Sequence, residues 1–122
     1  MTEPPRTKRA HFSVAVALQR LADTPGARFI KLFEHGSLLI EIYVPRGENG
    51  ALVDPQTPHT RDELYVIASG VGFFFNGVTR EPVQTGDMLF VSAGIPHRFE
   101  EFTENFATWV MFYGPEGGEA TG

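Results

Sequence analysis

At 122 residues the chain has room for one domain and one hydrophobic core. Apolar residues make up 42% of it, 11 of them Phe, which argues for a packed globule rather than disorder. A net charge of -5 excludes the basic footprint of a nucleic-acid binder, and the absence of cysteine excludes disulfides, thiolate zinc sites and cysteine nucleophiles. Met1 to Ala10 carries Pro4-Pro5 among solvated charges and reads as a flexible arm. It has no apolar core of the kind a secretory signal needs. From His11 to Ala22, Val14, Ala15, Ala17, Leu18 and Leu21 fall on one helical face, and Pro25-Gly26 ends the segment. One short helix is predicted there.

Strands follow. Arg28 to Glu34 alternates, His35-Gly36 turns, and Ser37 to Val44 is aliphatic and β-branched, so the pair reads as a hairpin. Glu48 to Pro58 is rich in Gly, Asn, Asp and Pro and reads as a loop. Further strands are predicted over Glu63–Ala68, Gly72–Phe75, Val78–Val83, Met88–Val91, His97–Phe102 and Phe106–Tyr113, with Asn76-Gly77 as the strongest hairpin signal. The glycine-rich stretch 114–122 reads as a flexible tail. Roughly eight short strands, punctuated by turns, predict an antiparallel sandwich or barrel. Phe73, Phe75, Phe90, Phe99, Phe106, Trp109 and Phe112 are the expected core. No apolar run approaches the roughly 20 residues of a membrane span, and a cytoplasmic protein is expected.

Two blocks carry the chemistry. In the first, Thr57-Pro58-His59-Thr60-Arg61-Asp62-Glu63 places a histidine and a carboxylate at the mouth of a buried strand that runs to Gly70. In the second, Gly86-Asp87 opens a strand, and Ser92-Ala93-Gly94-Ile95-Pro96 leads into His97. A divalent metal site needs such imidazole and carboxylate donors. His59, Glu63 and His97 would make a two-histidine, one-carboxylate face with open positions for substrate or dioxygen. Taken alone, His59 also reads as a surface histidine in a polar loop; the pairing of the two blocks favours metal.

The blocks resemble the two motifs of the cupin family. The first is similar to Gly-x5-His-x-His-x3-4-Glu-x6-Gly, with His59 as its second histidine, Glu63 as its glutamate and Gly70 as its last glycine. The second is similar to Gly-x5-Pro-x-Gly-x2-His-x3-Asn, with Gly86, Gly94 and His97 in place. Thr57 stands where the family has its first histidine, Ser92 replaces the proline, and Glu101 replaces the asparagine. The resemblance implies an all-β antiparallel cupin-type β-barrel, the double-stranded β-helix or jelly roll, over residues 11–113 with a short N-terminal helix. It also implies one divalent transition metal (Fe, Mn, Ni or Zn) held at the barrel mouth by His59, Glu63 and His97. Gln56 is the nearest candidate for the vacant position, although a loop hydrogen bond is the plainer reading of it. Thr57, Tyr65, Phe99 and Glu101 are further candidates for the metal or pocket, while Glu100, Glu101 and Glu104 together read as a solvated acidic face.

The implied function is action on a small organic substrate by dioxygenase-, isomerase- or lyase-type chemistry. A non-catalytic small-molecule-binding cupin is the alternative, and the sequence leaves open whether the protein is an enzyme. No helix-turn-helix accompanies the domain to support a regulatory role. The apolar strands Ser37–Val44 and Phe106–Tyr113 offer more surface than a small barrel buries alone, so a homodimer is expected. Small relatives of this kind imply the same.

Overall fold

Ser13 decides where the chain first becomes helical. Its hydroxyl accepts the Val16 N–H at 3.2 Å, capping a helix α1 over Val14–Ala22. His11 and Phe12, expected within the helix, precede the cap. The computed structural model describes residues 10–120, so all but the last residue of the expected arm lies outside the described residues.

Eight strands follow among the described residues: β1 (Phe29–His35), β2 (Leu38–Tyr43), β3 (Asp62–Ser69), β4 (Val71–Phe75), β5 (Arg80–Gln84), β6 (Met88–Val91), β7 (Arg98–Glu100) and β8 (Ala107–Tyr113). They form an antiparallel five-stranded sheet in the order β1-β2-β8-β3-β6 and a three-stranded sheet in the order β5-β4-β7. The core lies between the sheets. Tyr65, Ile67, Val91, Val110 and Phe112 come from the larger one, Phe74, Val83 and Phe99 from the smaller, and Phe102 and Phe106 from the segment joining β7 to β8. This is the expected antiparallel jelly roll with one short leading helix. No helix among the described residues is long and apolar enough to cross a membrane.

A second apolar cluster sits on the outer face of the larger sheet. There Ala17 and Leu21 of α1 close over Ile42, flanked by Ile30, Leu32 and Trp109. The helix covers that end of the sheet alone.

The fine structure departs from expectation in four places. The Asn76-Gly77 connection is a four-residue loop, because Asn76 Oδ1 accepts the N–H groups of both Val78 and Thr79 and Phe75 pairs with Arg80. Strand β5 therefore begins at Arg80 rather than Val78. Three phenylalanines in a row hid the phase of β4. Phe74 is buried, while Phe73 and Phe75 lie on the outer face beneath the guanidinium groups of Arg80 and Arg98, at 3.9 and 4.5 Å. Phe90 is 54% exposed, so it too is outside the core. Finally, β7 ends at Glu100, and Glu101 takes a left-handed φ of 47°. That kink turns Glu101 to solvent, where it meets Arg80 at 3.2 Å, and drops Phe102 into the core in its place. Glu101 therefore does not share a face with His97 and Phe99.

The expected tail carries hydrogen bonds back to the domain. Gly117 N–H donates to the Thr60 carbonyl at 2.6 Å, and Glu119 N–H to Asp62 Oδ2 at 2.8 Å.

Candidate metal centre

Register brings the two blocks together. On β3, Glu63, Tyr65 and Ile67 alternate onto the inner face, and β7 faces them from the smaller sheet with His97 just before its first residue. Glu63 and His97 are buried to 1% and 4% exposure, whereas His59 rides on the irregular segment before β3 with a side chain 37% exposed. Potential ligand atoms of His59, Glu63 and His97 all lie within 4.8 Å of one another. His97 Nε2 is 2.8 Å from Glu63 Oε1, and His59 Nε2 is 4.0 Å from Glu63 Oε2. Ligands bonded at about 2.1 Å to one ion stand roughly 3–4 Å apart, and the set lies near that spacing. These three residues form a triad that could hold a metal ion.

The side chains around the triad fix how it faces. His97 Nδ1 donates to the Ile95 carbonyl at 2.8 Å, which turns Nε2 towards Glu63. Burial alone would lower the His97 pKa. Hydrogen bonds to Glu63 and Ile95, with the charges of Glu63 and Asp54, outweigh it and raise the value above the ordinary imidazole range. Tyr65 OH lies 2.9 Å from the same Nε2 and donates to Gln56 Oε1 at 3.0 Å. Burial, then the negative charges of Glu63 and Asp54, keeps this phenol protonated far above its usual pKa.

Gln56 makes the loop hydrogen bond expected of it. Its amide N–H donates to Asp54, which leaves Oε1 aimed at the cluster, 3.3 Å from His59 Nε2. Thr57 lines the adjoining cavity. Phe99 is buried beneath the site, its ring edge-on to Tyr65 with centroids 5.0 Å apart. Glu101 is not part of the cluster.

Sequence reasoning missed the residue that ties this loop down. Asp54 is buried and accepts from the Tyr43 hydroxyl, the Gln56 amide and, at 2.9 Å, the Phe99 backbone N–H. One carboxylate thus joins β2, the loop and β7. Arg28, Glu41 and Tyr43 were also missed, and all three line a cavity of about 390 Å³ that opens beside His59, with Val110 and Phe112 among its apolar walls. A signal existed for Glu41, a carboxylate set between Ile40 and Ile42 in an otherwise apolar strand.

A family model described as a cupin domain matches residues 41–113, more than half of the chain. The chain belongs to the cupin family. An uncharacterized protein of Streptomyces coelicolor is 35% identical to this cupin over 63 residues, 52% of this chain and 60% of that relative, so the chain spans less than two thirds of the relative's length. A conserved Streptococcus pyogenes protein of unknown function superimposes with a TM-score of 0.58 over 95% of this cupin and 97% of its own chain, at 18% identity. The DMSP lyase DddQ from Ruegeria pomeroyi superimposes with a TM-score of 0.58 at 26% identity, over 71% of this cupin but 47% of the lyase.

Proposed function

We propose that this cupin holds one divalent transition metal through His59, Glu63 and His97 and acts on a small organic substrate in the adjoining cavity. The carrying observation is Glu63 Oε2, a buried carboxylate oxygen with no hydrogen-bond partner among the described residues. An unpaired buried polar atom costs about 1–3 kcal/mol, more when charged, and a cation bound there would remove that cost. Two imidazoles and a carboxylate suit Fe, Mn, Ni or Zn. When bound, such an ion supplies Lewis-acid polarisation of a substrate oxygen. The protein's part is then to position. Val110 and Phe112 exclude water from one wall, Tyr65 holds a proton beside His97, and Gln56 offers an amide oxygen where Thr57 supplies no imidazole. The likeness to a lyase supports an enzyme, with isomerase and dioxygenase chemistry equally compatible with the donors.

One observation favours a second reading, a binding protein without metal: His97 has hydrogen-bond partners at both ring nitrogens from within the protein. Metal analysis of protein purified without a histidine tag separates the two. His59→Ala and His97→Ala should each abolish stoichiometric metal, Glu63→Gln should weaken binding less, and Thr57→His should tighten it. Unchanged metal content in both alanine variants would overturn the metal reading.

For the assembly we propose a homodimer through the outer face of the larger sheet. Phe33, Ile40, Met111, Leu64 and Phe90 form one register row across all five strands, beyond the end that α1 covers.

A further inference from the structure

We propose that the cavity beside the triad takes a small hydroxy or amino acid. In this arrangement the Arg28 guanidinium receives the carboxylate, and the Glu41 carboxylate receives the hydroxyl or ammonium group. The inference rests on reading this cavity as the substrate site, but neither residue is a ligand of the proposed metal.

Arg28 and Glu41 are the cavity's charged wall residues apart from His59, and neither side chain has a hydrogen-bond or ion-pair partner among the described residues. Their polar neighbours are already committed. Tyr43 donates to Asp54, Gln56 lies between Asp54 and Tyr65, and Tyr65 lies between Gln56 and His97. Lys31 stands opposite Glu41 in the β1–β2 register, but its ammonium group is held by Glu34 at 3.1 Å.

Glu41 is also poorly compensated. Burial first, then the negative charge of Glu63, raises its pKa against a smaller opposing effect of Lys31. A hydrogen-bond donor or ammonium group brought by a ligand would relieve that deficit. Arg28 offers the converse, an exposed planar fork of N–H donors that matches a carboxylate in two parallel hydrogen bonds.

The two groups select together. A plain carboxylate satisfies Arg28 and leaves Glu41 without a donor, a plain amine does the reverse, and a hydroxy or amino acid satisfies both. Size agrees, since about 390 Å³ lies at the small end of ligand sites, which run roughly from 300 to 1,000 Å³. Glu41 pairs with Val110, and Val110 with Tyr65, so two strand spacings of about 4.8 Å separate Glu41 from the strand that carries Glu63. His59 lines the same cavity, so a short acid held at Arg28 and Glu41 would lie beside the triad.

Calorimetric titration of the full chain with lactate, alanine, propionate, lactamide and the six-carbon counterparts of each tests this, on chelator-treated protein and on protein loaded with Mn(II). The expected result is saturable binding of a hydroxy or amino acid, about tenfold or more tighter than of the matching plain acid or amide. Arg28→Gln should remove that binding by a similar factor while leaving the amide unaffected. Glu41→Gln should erase the advantage of the hydroxy or amino acid over the plain acid and leave the plain acid unchanged. If the pattern persists in chelator-treated protein that takes up no metal, the metal reading fails and this one stands. Plain acids binding as tightly as hydroxy and amino acids, Arg28→Gln behaving as wild type, or no acid saturating either form would overturn it.

Discussion

The Nδ1 hydrogen bond from His97 to the Ile95 carbonyl has a thermodynamic corollary at the other nitrogen. With Nδ1 already carrying a proton, the 2.8 Å approach of Nε2 to Glu63 is favourable when Nε2 is protonated too, and the imidazole is then a cation. The raised pKa of His97 means that the folded protein binds this proton more tightly than the unfolded chain does. In metal-free protein the pair therefore contributes stability below the ordinary imidazole value of 6.5 and loses it as pH rises through the raised value. An ion held by the triad would take the position of that proton, so its stabilising effect should grow with pH. Thermal melts at pH 6, 7 and 8, with and without Zn(II) or Mn(II), should show a metal increment in Tm that increases across the series. An increment independent of pH would mean that no proton leaves His97 when metal binds.

At the scale of elements, two motif glycines that look alike in sequence have different reasons to be glycine. Gly70 and Gly86 both have positive φ, 81° and 94°. A Cβ on Gly70 would lie 2.8 Å from the Phe106 Cα and 2.6 Å from Thr103 Oγ1, whereas one on Gly86 meets nothing within 4 Å. Gly86→Ala should cost about 1–2 kcal/mol from the left-handed backbone alone. Gly70→Ala should cost clearly more, because backbone must also move. Urea unfolding of both variants checks the order, and equal losses would contradict the packing argument. The same contrast marks what could be read beforehand. Alternation in Glu63–Ala68 and turn chemistry around Asn76 and Gly86 are local, so strand order and the His59, Glu63 and His97 spacing were legible. Phe73-Phe74-Phe75 has no alternation to read, and its phase is set by Arg80 and Arg98 on other strands. Asp54 acts through partners distant in sequence, Tyr43 and Phe99, and nothing in its local context distinguishes it from other loop residues. Glu101 was misplaced because strand alternation was extended past a residue whose φ of 47° breaks it.

For the whole molecule, the proposed dimer draws on the outer row of the larger sheet. Met88 and Phe90 are 67% and 54% exposed at the β6 edge of that face, and a second copy would bury both. Light scattering should give twice the chain mass at micromolar concentration. Phe90→Glu should halve that mass while leaving metal content intact; a wild-type monomer at those concentrations would remove the proposal. The interior is less forgiving. Phe99→Ala should cost about 3–5 kcal/mol, because its ring packs on Tyr65, Phe74 and Phe106 together, and the loss is measurable by the same unfolding assay. The unequal seating of the triad bears on rates as well. Glu63 and His97 are fixed on opposite sheets at 1% side-chain exposure, while His59 stands 37% exposed on a loop that Asp54 anchors. An ion held by these three could leave by the swing of one solvent-facing imidazole, without either sheet opening. Its dwell time is then governed by the loop, and the stability of the fold and the speed of metal exchange become separately adjustable.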